Sequence, residues 1–76
     1  MKIIIIEDEA AAYKNIKNLL LQIDPHIEIL DHLDTVVDSV TWLRSHPMPD
    51  LIFMDIQLAD GNSFNIFECV TIEVPI

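Results

Sequence analysis

The sequence predicts an α/β domain built on a parallel sheet, and three observations carry that expectation. Ile3-Ile4-Ile5-Ile6 and Leu51-Ile52-Phe53-Met54 are apolar without alternation, as strands are when helices cover both faces of a parallel sheet. Between them the apolar spacing changes to the period of a helix. The two patterns then alternate along the chain, and strands alternating with helices imply parallel pairing through right-handed crossovers. The expected element order is βαβαβα followed by the start of a fourth strand, in one unit spanning residues 1–76 without repeat, linker or low-complexity segment.

Each element has its own local reason. From Ala10 to about Ile23 the residues Ala12, Ile16, Leu19, Leu20 and Ile23 form a helical stripe, with Lys14, Asn15, Lys17 and Asn18 opposite. Asp24-Pro25 ends it, because the residue before a proline is pushed out of the α region. Ile27, Ile29 and Leu33 alternate with Glu28 and His32, the pattern of a half-exposed strand. Thr35-Val36-Val37-Asp38 resembles a capping box, and Val36, Val40 and Leu43 make the expected buried stripe of a second helix. Pro47 and Pro49 close that helix with a stiff turn. After the third strand, Gly61 in Ala59-Asp60-Gly61-Asn62 supplies a residue tolerant of positive φ. Asn62 or Ser63 is expected to cap a short third helix that turns Phe64, Phe67 and Val70 inward. Glu73-Val74-Pro75-Ile76 reads as the opening of a fourth strand.

Composition narrows the function classes. The chain is 51% apolar with a single cysteine, Cys69, which excludes both a disordered chain and a disulfide scaffold. Its longest apolar runs fall far short of the roughly 20 residues of a membrane span. Met1-Lys2 leads straight into an apolar run ending in acids, unlike a signal peptide, so the expected location is the cytoplasm. Thirteen Asp and Glu against four Lys and Arg give a net charge of −9. Such a surface repels nucleic acid and has no basic cluster to offset it.

The placement of the acids matters more than their number. The first and third strands are uniformly apolar and the second alternates, so the second belongs at an edge and the predicted strand order is 2-1-3. That order reverses direction between strands 1 and 3, and ligands of open α/β sheets bind at such a reversal, beyond the carboxyl ends of the strands. Strand 1 runs into Glu7-Asp8-Glu9 and strand 3 into Asp55. Convergent carboxylates repel one another unless something positive sits among them. Mg²⁺ answers that need, since it takes a few carboxylates together with water and phosphate oxygens. A carboxylate beside such an ion can act as a nucleophile toward a phosphoryl group. The same pattern also suits acids that merely cap the following helix, the role expected of Glu9.

The initial Ile run with Glu7-Asp8-Glu9, followed by Pro49-Asp50-Leu51-Ile52-Phe53-Met54-Asp55-Ile56-Gln57-Leu58 and Asp60-Gly61, resembles the receiver domain of two-component response regulators. The stretch around Asp55 and Leu58-Ala59-Asp60-Gly61 is most similar to receivers joined to LytTR-type DNA-binding domains. The resemblance covers essentially all 76 residues and implies a flavodoxin-like doubly wound sheet. It implies that Asp55 accepts a phosphoryl group from a histidine kinase. It further implies that Asp8 ligates Mg²⁺, that Glu7 does so directly or through water, and that the backbone carbonyl of Gln57 adds a ligand. Such a domain assists its own phosphorylation but is a signalling module, not a turnover enzyme.

The departures from that family are specific. Its members have five strand-helix units, and this sequence reaches the start of the fourth. The Ser or Thr ending strand 4 and the Lys ending strand 5, which touch the phosphoryl group in the family, have no counterpart here. The output domain is likewise expected outside this chain. One rival is therefore a degenerate receiver serving only interaction or dimerisation. With strand 3 uncovered on one side, the chain is further expected either to aggregate or to pair with a second copy, as by exchange of its carboxyl-terminal segment. A second rival, a metal-dependent phosphohydrolase, often carries an Asp two residues after its nucleophile, where this sequence has Gln57. His26, His32 and His46 lack ligand spacing and are expected at surface or edge positions. Cys69 reads as an ordinary helix residue, Trp42 as partly exposed, and Met48 and Met54 as gap-fillers.

Overall fold

A computed structural model describes all 76 residues. Three strands, β1 (Lys2–Ile6), β2 (Glu28–Leu33) and β3 (Leu51–Met54), form one parallel sheet in the order β2-β1-β3. The predicted order is the observed one. Helix α1 (Ala10–Ile23) packs on one face, with Tyr13, Ile16 and Leu20 against Ile3, Ile5 and Phe53. Helix α2 (Val36–Ser45) packs on the other, with Trp42 and Leu43 against Ile4, Ile6 and Ile52. The chain is thus α/β with helices on both faces of a parallel sheet. No helix is long and apolar enough to cross a membrane.

The four isoleucines of β1 are fully buried, which is why that strand tolerates no polar alternation: Ile3 and Ile5 fill one core, Ile4 and Ile6 the other. The pairing of β1 with β2 shifts register between Ile3 and Ile4, so an extra β2 residue is accommodated before Asp31 pairs with Ile4. Helix α1 ends where expected, with Asp24 extended and its N–H donating to Leu20. The cap of α2 is Thr35, whose Oγ1 accepts from the Asp38 N–H at 3.0 Å.

Several expectations are corrected. Leu19 and Ile23 of the predicted α1 stripe are exposed, Ile23 by 79%, because a three-stranded sheet is too narrow to cover a stripe that wide. Trp42 is only 7% exposed; its ring stacks on His46 one turn later, with centroids 4.3 Å apart. The segment after Asp55 is not a plain loop. Gln57–Leu58 (β4) and Gly61–Asn62 (β5) pair antiparallel around the turn Ala59-Asp60, and Gly61 adopts φ 144°. Asn62 does cap the next turn, accepting from the Phe64 N–H at 2.8 Å. That turn is a 3-10 segment (Ser63–Asn65) leading into the four-residue α3 (Ile66–Cys69). The tight turn rotates Ile66 inward and leaves Phe64 and Phe67 exposed and stacked on each other, reversing the expected facing. Residues 73–76 form no strand, although the Ile52 N–H donates to the Pro75 carbonyl at 3.0 Å on the open edge of β3.

A long-range contact ties the hairpin to the rest. The Asp60 carboxylate accepts from the N–H groups of Val36 at 2.6 Å and Val37 at 3.2 Å, satisfying orphan donors at the start of α2. The Val36 N–H, foremost, holds this carboxyl below its ordinary value.

Two outcomes test this account of the fold. Ile52→Ala should lower stability by about 2–5 kcal/mol, read as a shift in urea midpoint followed by Trp42 fluorescence. An unchanged midpoint would mean that Ile52 is not packed between the helices. Asp60→Ala should lower the melting temperature at neutral pH. Because the folded-state pKa is depressed, that stabilisation is present above the ordinary value of 3.8 and lost as pH falls through the folded value. The gap between variant and wild type should therefore close in acid, and a gap independent of pH would remove the charged cap from the explanation.

Candidate functional site

Beyond β1 the chain leaves the sheet but not its neighbours. The Asp55 N–H donates to the Ile6 carbonyl, and the Glu7 N–H to the Leu33 carbonyl, both at 2.9 Å. These two bonds prolong the ladders on either side of β1 by one step, so Glu7 and Asp55 emerge side by side from adjacent strand ends. One carboxylate oxygen from each of Glu7, Asp8 and Asp55 lies within 4.8 Å of the others. Three of the predicted ligands are thus brought together. Glu9 stands apart as the N-cap residue of α1; its side chain makes no cap bond, but its N–H donates to Glu7 Oε1 at 3.1 Å.

The three acids differ in setting. Glu7 is buried, at 7% exposure, Asp55 is half-buried and Asp8 exposed. Burial pushes the Glu7 carboxyl above its ordinary value, the Glu9 N–H partly opposes this, and the charges of Asp55 and Asp8 add to the rise. The Asp55 plane is set by Oδ1, which accepts from the Ile56 N–H at 2.8 Å. Of the basic residues, Lys2 begins β1 at the far end of the sheet, and Arg44 donates to the Cys69 carbonyl at 3.0 Å.

Gln57 lies in β4 opposite Asn62. The Ser63 N–H donates to the Ile56 carbonyl at 2.8 Å, so the Gln57–Asn62 pair is the non-hydrogen-bonded kind, and the Gln57 carbonyl turns away from its hairpin partner. Nothing in the hairpin consumes it. The histidines are dispersed: His46 stacks on Trp42, His26 is exposed beside Asp24, and His32 stacks on Tyr13. A cavity of about 390 Å³ lies at the opposite end of the sheet, between Lys2, Leu30 and Trp42, away from the carboxyl ends of the strands.

The donors suit a small hard cation. They are oxygens only, and octahedral Mg²⁺ spans about 2.9 Å between adjacent ligands and about 4.2 Å between opposite ones. A cluster no wider than 4.8 Å closes onto such an ion by a side-chain rotation, for which exposed Asp8 is free. The residues therefore fit Mg²⁺, with Glu7, Asp8 and Asp55 able to hold it.

A raised Glu7 pKa makes the folding stability fall as pH rises. Without divalent cation, ionising Glu7 costs the folded state more than the unfolded one, so the penalty sets in as pH rises above the ordinary value of 4.5. Glu7→Gln should melt at a higher temperature than wild type at neutral pH, and the two should converge in acid. A variant less stable than wild type at neutral pH would contradict the assignment of burial as the cause.

No family model matches the chain, and no solved structure matches it. Among curated proteins, it is 36% identical over 66 residues to the sensory transduction protein LytT of Bacillus anthracis, covering 87% of this chain and 26% of that protein. Identity to LytT of Bacillus cereus is also 36% over 66 residues, with the same coverage. LytT of Enterococcus faecalis is 30% identical over 71 residues, 93% of this chain and 28% of that protein. The chain thus spans about a quarter of the length of the relatives it matches. An aligned stretch of 71 residues in a chain of 76 must take in Glu7, Asp8, Asp55 and Gln57. Over most of its length, this chain is similar to part of the sensory transduction proteins named LytT.

Proposed function

We propose that this chain is the phospho-accepting receiver module of a response regulator, with Asp55 as the acceptor. The observation that carries the reading is the convergence of the Glu7, Asp8 and Asp55 carboxylates from the ends of two adjacent parallel strands. Similarity to LytT proteins supports it independently. In this reading a histidine kinase presents a phosphoryl group on an imidazole nitrogen. An Asp55 oxygen attacks phosphorus, the P–N bond breaks as the P–O bond forms, and the imidazole leaves with the electron pair and takes up a proton. Asp55 is suited to this because it directly follows β3 and its N–H is bonded to Ile6, so its carboxylate approaches a donor from a rigid element. Mg²⁺, when bound, offsets charge on the transferring oxygens. Glu7 and Asp8 would hold the ion in place, and the Gln57 carbonyl is a fourth candidate ligand.

The module is a signalling part rather than a turnover enzyme, and the cytoplasm is its proposed location. Gene control in this reading belongs to a separate LytTR-type DNA-binding region, because a surface of charge −9 is not one that nucleic acid binds. The phosphohydrolase alternative is disfavoured by Gln57, which leaves no acid two residues beyond the nucleophile.

The test is labelling with a small phosphodonor, such as acetyl phosphate, in the presence of Mg²⁺. Intact mass should rise by one phosphoryl group, and Asp55→Asn should abolish the gain. Asp60→Asn should not, since its carboxylate faces the start of α2. Undiminished labelling of Asp55→Asn would refute the assignment.

A further inference from the structure

Glu7 and Asp8 sit where strand pairing stops dictating geometry. The peptide entering Glu7 is held by β2 through the Leu33 carbonyl. The peptide leaving it, which aims Asp8, is held instead by a side chain: His32 Nε2 lies 2.7 Å from the Glu7 carbonyl oxygen. A carbonyl only accepts, so Nε2 carries the donated proton whether the ring is neutral or cationic. The imidazole is itself fixed. Its residue pairs with Ile5 in the sheet, and its ring stacks on Tyr13 with centroids 3.8 Å apart and planes within 3°. Tyr13 returns to the same turn, because its N–H donates to the Glu9 carbonyl at 3.0 Å. Residues 7 to 9 are therefore gripped from β2 and from the first turn of α1 through a single stacked pair.

We propose that His32 is a positioning residue for the acidic site: by donating to the Glu7 carbonyl from its stack on Tyr13, it fixes the Glu7–Asp8 peptide and so aims Asp8 at the point shared by Glu7 and Asp55. The inference rests on reading these three acids as a divalent-cation site. Asp8 is exposed and belongs to neither strand nor helix. Rotation about ψ of Glu7, which the bond to its carbonyl restrains, carries Asp8 with it, so losing that bond lets the carboxylate leave the shared point. Packing on Tyr13 alone does not require histidine, since any planar apolar ring could do it. Donation to the Glu7 carbonyl needs an N–H on that ring as well, which His32 Nε2 supplies.

The test uses Mn²⁺ alone as the probe and the 76-residue chain, with affinity read by paramagnetic relaxation and stability read in parallel by melting. His32→Phe keeps a ring against Tyr13 and removes the donor. It should weaken Mn²⁺ binding about ten-fold, the lower end of the range for losing a partner that orients a metal ligand, at a melting temperature close to that of wild type. His32→Gln, which restores an N–H donor, should recover part of the loss. Asp8→Asn should cost less affinity in the His32→Phe background than in wild type, because the two changes remove one contribution. A purely structural role would move the melting temperature without this coupling. If His32→Phe melts much lower, Tyr13→Leu takes its place: it loosens the ring and keeps the donor, and wild-type affinity in that variant would count against the inference. Wild-type affinity in a folded His32→Phe, alongside weakened binding in Asp8→Asn, overturns the positioning role and leaves the cation site standing. If the wild-type chain fails to bind Mn²⁺ at residues 7, 8 and 55, the cation reading falls and takes the positioning role with it.

Discussion

Parallel pairing of β1 with a strand on each side organises both the core and the acidic cluster. Because Ile3 to Ile6 are buried on both faces, β1 has to be central, and a central strand must lend its backbone groups to both neighbours. That obligation continues one residue past the strand, where Ile6 accepts from Asp55 and Glu7 donates to Leu33. The acids that follow β1 and β3 are brought together by the same hydrogen bonds that close the sheet. Packing and site geometry therefore share a cause, and a change that slips the β1–β3 register would move Asp55 away from Glu7.

The site opposes the stability of the chain that carries it. Glu7 is buried beside two other carboxylates, a setting that disfavours its ionised form. Local dipoles relieve only part of this: the Glu9 N–H reaches Glu7, and the Ile56 N–H reaches Asp55. Unrelieved charge of one sign in a confined place is a standing attraction for a cation. The acidity of the wider surface adds to that attraction, since the field of the whole chain concentrates cations around it.

Asp60 shows how a carboxylate outside that cluster is used differently. Two backbone N–H groups at the start of α2 satisfy it, so its charge is neutralised by a helix terminus and not shared with Asp55. The contact also braces the β4–β5 hairpin, which carries Gln57, against the helix on that face of the sheet. His32 and Tyr13 do the corresponding work on the other face, between β2 and α1. The loops around the acids are thus held from both layers of the fold.

Features that depend on local periodicity and burial were legible in the residues alone: the unbroken apolar runs of β1 and β3, the helical stripe ending at Asp24-Pro25, the Thr35 cap, and hence the strand order that sets Glu7 and Asp8 beside Asp55. A run such as Ile3 to Ile6 has one way to hide from water, and the order follows from it. Contacts between distant residues left no such mark along the chain. The stripe of α1 predicted Ile23 as core, but the sheet has no surface left to receive it. Phe64 and Phe67 face outward because the turn between Ser63 and Asn65 is tighter than an α-helix, a choice made by the hairpin before it. Trp42 is buried by its fit over Ile4 and Ile52 and by its stack on His46. The roles of Asp60 and His32 join residues 24 and 25 positions apart, and no periodicity marks them, because a hydrogen bond of that span exists only once the sheet has brought its ends together.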